Sequence, residues 1–125
     1  MLKDEMIPTI SGIQSLNCQR ANRWHNGNFH NWSGLEWAGA MCGEAGEAAN
    51  LCKKLRRLET EAIGNEWSEH PSSDASQLVR QLGEECADVF LYLTLVASRY
   101  GIDLEHEIIS KFNRKSEALG FPERL

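Results

Sequence analysis

The chain contains no Cys-x-x-Cys pair and no cysteine–histidine cluster at zinc-ligand spacing. Its four cysteines, Cys18, Cys42, Cys52 and Cys86, therefore offer neither a dithiol redox motif nor a structural zinc site. Cys42, Cys52 and Cys86 fall in helical stretches among apolar neighbours, so they are expected as small buried hydrophobes. No apolar run is long enough to span a bilayer, and Met1-Leu2-Lys3-Asp4-Glu5 lacks the character of a secretory leader. The expectation is a cytoplasmic protein with free thiols and no membrane partner. Basic charge is also scarce: 13 Lys and Arg against 18 Asp and Glu leave a net charge of −5. Direct nucleic-acid binding is not expected from such a surface. A small phosphorylated ligand is still allowed, because bound metal ions can supply positive charge. Finally, no segment alternates with period two, so no sheet is expected.

What is present is helical periodicity in a chain of 125 residues, a length that suits one domain, 1–125. Ser11 to Trp24 reads as a first helix, followed by a polar, aromatic loop from His25 to Gly34. Leu35 to Leu58 reads as a second helix and Glu59 to Ala75 as a connector. Asp74 with Gln77 resembles a capping box opening a third helix, which ends at Tyr100 before Gly101. Asp103 can cap a fourth helix running to Leu119, ahead of Gly120 and Pro122. From Val89 to Ala97 the third helix is apolar nearly all round. Such a helix is central in its bundle or buried against another subunit, and an oligomer is predicted.

Two acidic pairs stand out: Glu44 and Glu47 on the second helix, Glu85 and Asp88 on the third. Residues three apart share one helical surface. With Met41 at zero, Glu44 and Glu47 fall at about −60° and −120°, beside a stripe of Trp37, Met41, Ala45, Ala48, Cys52 and Leu55. With Leu82 at zero, Glu85 and Asp88 take the same angles beside Cys86, Val89, Leu93 and Val96. Packed antiparallel, the helices would bring both acidic shoulders to one cleft. Four carboxylates against apolar stripes repel one another and desolvate badly, and such hard oxygen ligands suit Mg²⁺ or Mn²⁺. A di-iron site is disfavoured, because neither motif ends in the histidine those bundles use. Lys54, two turns beyond Glu47 on nearly the same face, either contacts phosphate or pairs with a nearby acid, pairing being the simpler reading.

Glu44-Ala-Gly-Glu47 followed by Glu85-Cys-Ala-Asp88 resembles the ExxE…ExxD signature of the MazG-like all-α nucleoside triphosphate pyrophosphohydrolases. The similarity extends from Leu35 to Pro122 and takes in Ile109-Ser-Lys-Phe-Asn113, which is similar to that family's lysine-bearing helix. Gly43-Glu-Ala-Gly-Glu47 is similar in form to the dCTP pyrophosphatase branch and to small phage or bacterial MazG-like proteins. The resemblance implies an all-α, four-to-five-helix bundle, and the oligomer predicted from the third helix would be a homodimer or homotetramer. It further implies Mg²⁺-dependent hydrolysis of a nucleoside triphosphate to monophosphate and pyrophosphate by metal-activated water. Glu44, Glu47, Glu85 and Asp88 would be metal ligands, with Glu44 or Glu47 also accepting the proton. Lys111 would contact the phosphates, with Asn113 beside it on the same helix. Tyr92 would line the nucleotide pocket, and Trp32 would meet the base, since an indole face can stack on it. Many members carry a glutamate where this chain has Gly43. That difference keeps open the alternative of a non-catalytic nucleotide-binding or scaffold bundle.

Overall fold

The computed structural model describes residues 8–63 and 73–125, without the side chains of residues 60–63, 73 and 74. Among them lie four α-helices and one 3₁₀ turn, with no strand: α1 (Ile10–Trp24), η1 (Phe29–Asn31), α2 (Gly34–Ile63), α3 (Ser73–Arg99) and α4 (Leu104–Leu119). The fold is all-α. The chain divides into two compact units. One comprises residues up to Leu35 and from Thr94 onward; the other is Glu36–Leu93.

In the first unit the helices begin and end where local chemistry dictates. The Thr9 hydroxyl accepts from the Gly12 amide at 2.9 Å and caps α1. The Asp103 carboxylate accepts from the His106 amide at 3.1 Å and caps α4, as its sequence position predicts. Gly120 closes α4 at φ 72°, letting the Phe121 amide reach back to the Ser116 carbonyl at 2.8 Å. Gly34 has a different reason to be glycine. The Tyr100 ring lies so close to its Cα that any β-carbon would overlap the phenol.

Polar contacts hold α1 to the turn between α3 and α4. The Gln14 amide donates to Ser98 Oγ at 3.2 Å and the Ile102 carbonyl at 2.8 Å, and its oxygen accepts from the Leu104 amide at 3.2 Å. The Ser11 amide and hydroxyl both donate to Glu105, at 3.4 and 3.2 Å. Deeper in, Asn17 Nδ2 donates to the wholly buried Thr94 hydroxyl at 2.9 Å, and Arg20 donates to Asn17 Oδ1 at 3.1 Å. Both ends of the Asn17 carboxamide are thus engaged, which is how a buried polar group becomes stabilising.

The structure changes several boundaries. α2 runs to Ile63, because Glu59-Thr-Glu-Ala-Ile63 contains no helix breaker; only Gly64 is one. Of the rest of the expected connector, residues 64–72 and the Asp74 side chain of the capping box lie outside the described residues, while α3 begins at Ser73, ahead of the expected cap. The expected loop contains the single turn η1, capped by Asn28, whose side chain accepts from the His30 amide. The cysteine expectation fails outright: Cys42, Cys52 and Cys86 are all exposed. Trp37 and Leu51 are buried while Ala45 and Cys52 are exposed, so the buried face of α2 is turned toward the Glu44 side. On α3, no residue from Val89 to Arg99 is exposed, and Thr94, Leu95 and Ala97 are buried within the chain itself. Thr94, Leu95 and Ala97 are thus enclosed within the first unit, while Val89 to Leu93 is half-buried.

Candidate metal centre

Within the second unit α2 and the first part of α3 run antiparallel. Trp37, near the start of α2, packs against Tyr92, near the end of this stretch of α3, with ring centroids 6.1 Å apart and planes tilted by 36°. Further along α2, Glu44 comes against Glu85. One carboxylate oxygen each from Glu44, Glu85 and Asp88 lies within 4.8 Å of the other two. Of the four predicted ligands, the structure therefore gathers three, and Glu47 stands exposed beside Glu85.

The electrostatics of this cluster are unbalanced. A hydrogen bond with Glu44, followed by desolvation and the nearby charges of Glu47 and Glu44, pushes the Glu85 carboxyl from 4.5 up to about 7. Two ionised carboxylates have no proton to share, so the Glu44–Glu85 contact is a hydrogen bond only while one of them is protonated. Oε2 of Glu85 is shielded from solvent and meets no hydrogen-bond donor. A shielded oxygen without a donor, among three converging carboxylates, fits a divalent cation. All the gathered ligand atoms are hard oxygens, and none of the exposed thiols joins them.

Of the other predicted site residues, Tyr92 is half-buried on α3 one turn beyond Asp88, and Lys54 is exposed on α2. Lys54 makes no ion pair among the described residues; on this stretch Arg56 and Glu59 approach at 3.9 Å instead. Trp32, Lys111 and Asn113 belong to the first unit. Trp32 is 36% exposed and meets His25 edge to face, with ring centroids 5.3 Å apart. Lys111 is exposed on α4. Asn113 is committed at both ends of its carboxamide. Its oxygen accepts from the Leu125 amide at 2.8 Å, and its nitrogen donates to the Leu125 carbonyl at 3.3 Å. Elsewhere in the first unit an open groove of about 460 Å³ is lined by Ser11, Gln14, Cys18, Ser98 and Asp103, among others. Most of its polar atoms already hold α1 and the α3–α4 turn in place, and it contains no second acidic cluster.

Sequence reasoning did not pair Trp37 with Tyr92. A usable sign was present: Trp37 precedes Glu44 by seven residues, and Tyr92 follows Glu85 by seven. In an antiparallel pair, contact at one of these positions brings contact at the other. No family model matches the chain, and no characterised protein matches its sequence.

Proposed function

We propose that the protein is a Mg²⁺-dependent nucleoside triphosphate pyrophosphohydrolase, acting as a homodimer or homotetramer in the cytoplasm. The observation that carries this reading is the convergence of Glu44, Glu85 and Asp88, with a shielded Glu85 oxygen that has no donor. The MazG-like signature, with Glu47 as the fourth acid, adds the substrate class. Glu44, Glu85 and Asp88 would hold the metal, Mn²⁺ being an acceptable substitute, and Glu47 would complete the set. When bound, the cation supplies positive charge against the phosphate oxygens, which carboxylates alone would repel.

The remaining chemistry falls to the chain's own groups. Water attacks the α-phosphorus, the bond from that phosphorus to the bridging oxygen breaks, and pyrophosphate leaves. Glu47, exposed at the edge of the cluster, accepts the proton from water; Glu44 is the alternative acceptor. Tyr92 lines the nucleoside end of the site. Trp32 at the base, with Lys111 and Lys54 at the phosphates, are assignments resting on the resemblance or on helical position; Asn113 could join them only by giving up its hydrogen bonds to Leu125. Gly43, where many family members carry a further acid, favours a second reading in which nucleotide is bound and not cleaved.

Pyrophosphate release, measured with Mg²⁺ and each common ribo- and deoxyribonucleoside triphosphate, separates the two. Activity is expected on at least one nucleotide. Glu47→Ala and Asp88→Ala should each reduce it by more than about a hundredfold with helical content retained. Binding without release from any nucleotide would favour the second reading, and metal-independent release would contradict the mechanism.

A further inference from the structure

The contacts between α2 and α3 recur at one interval. Trp37 with Tyr92 forms one layer and Glu44 with Glu85 the next, and seven residues separate the layers on each helix. Seven residues are two helical turns, roughly 10 Å along the axis. Trp37 is only 3% exposed, so its indole is a fixed plate that cannot turn without displacing its neighbours. Tyr92 is half-buried with its ring 6.1 Å from that plate. A phenol ring has two free side-chain torsions, and a rigid plate beside it narrows both.

We propose that Trp37 is a positioning residue, fixing the Tyr92 ring at the place where it meets the nucleoside half of the substrate. This rests on the pyrophosphohydrolase reading and on the role of Tyr92 within it. Physical separation of the layers gives the inference its content. The Glu44–Glu85 layer lies two turns from the ring layer and Asp88 one turn from it; loosening the Tyr92 ring moves a side chain and not the helix backbone that carries these carboxylates, so the bond cleaved at phosphate keeps its surroundings. What weakens is a contact made equally in the bound substrate and in the transition state. Loss of such uniform binding raises KM and spares kcat.

Steady-state kinetics on the full-length protein test this, using Mg²⁺ and the nucleotide it cleaves fastest. Trp37→Leu keeps an apolar side chain and removes the plate. It should raise KM by about tenfold, with kcat within about twofold of wild type. Trp37→Phe keeps an aromatic ring and should hold the rise to about threefold. In a Tyr92→Leu background both effects should vanish, since no ring remains to be positioned. Should Trp37→Leu fail to fold by circular dichroism, the Trp37→Phe effect and its disappearance in that background decide the matter alone.

Three results would overturn the inference: an unchanged KM, a fall in kcat matching the rise in KM, or an equal effect with and without Tyr92. Each would leave Trp37 a core residue and the hydrolase reading intact. A wild-type protein that releases no pyrophosphate would instead overturn the hydrolase reading, and this inference with it.

Discussion

Thr94, wholly buried in the first unit, receives a hydrogen bond from Asn17, whose own oxygen is held by Arg20. Glu85, half-buried in the second unit, keeps a shielded oxygen that no donor reaches. Both atoms have lost water. In one case the sequence supplies a replacement from another helix; in the other it supplies only more carboxylates, Glu44, Glu47 and Asp88. A satisfied polar cluster holds helices in register, whereas an unsatisfied one stores an affinity for something positively charged.

Opposite responses to mutation would be the sharpest test of this contrast. Asn17→Ala removes the hydrogen bond donated to the buried Thr94 hydroxyl and the acceptor that holds Arg20, and should cost about 1–2 kcal/mol in denaturant unfolding, with or without Mg²⁺. Glu85→Gln removes one negative charge from a repelling group. It should raise the melting temperature in EDTA at pH 8 and abolish stabilisation by Mg²⁺. If Asn17→Ala were neutral, or Glu85→Gln destabilising in EDTA, the two clusters would not differ in kind.

Acidity provides the next test. Glu85 holds its proton up to about pH 7 in the folded chain, against 4.5 for an ordinary glutamate. Folding therefore binds a proton between these values. The group's effect on stability is most favourable below 4.5, is lost as pH rises toward 7, and is flat above that. Melting curves in EDTA should show wild type losing stability relative to Glu85→Gln across this window. Because a metal ion competes with the proton, Mg²⁺ affinity should fall by about tenfold per unit below pH 7. Parallel wild-type and Glu85→Gln curves would remove the proton from the site.

A smaller effect calibrates the scale. Asp103→Ala removes the α4 cap and should cost about 1 kcal/mol, independent of Mg²⁺ and without the window seen for Glu85.

The legibility of these features in sequence follows their range. Asp103 and Gly120 were readable because a cap acts within one helical turn. Glu44, Glu85 and Asp88 were readable because three-residue spacing alone puts acids on one face. The phase of the buried stripe was not. Alanine and cysteine count as apolar in a periodicity argument, yet the large side chains Trp37 and Leu51 determine which way α2 turns. The end of α2 was missed because Glu59 to Ile63 is polar without being helix-breaking. The Asn17–Thr94 contact left no trace, since nothing in a single chain marks two residues that meet across 77 positions.

The first unit has a history built into its connectivity. Its hydrogen bonds join Asn17 to Thr94 and Ser11 to Glu105, across separations of 77 and 94 residues. During synthesis α1 emerges early and must wait for the far end of the chain before those bonds can close. Until then it is an orphan, its Asn17 and Gln14 side chains solvated. The α2–α3 hairpin needs far shorter loops and can assemble meanwhile, with Glu44, Glu85 and Asp88 all inside it. The carboxylate cluster would then be complete before the nascent protein had tied its last knot.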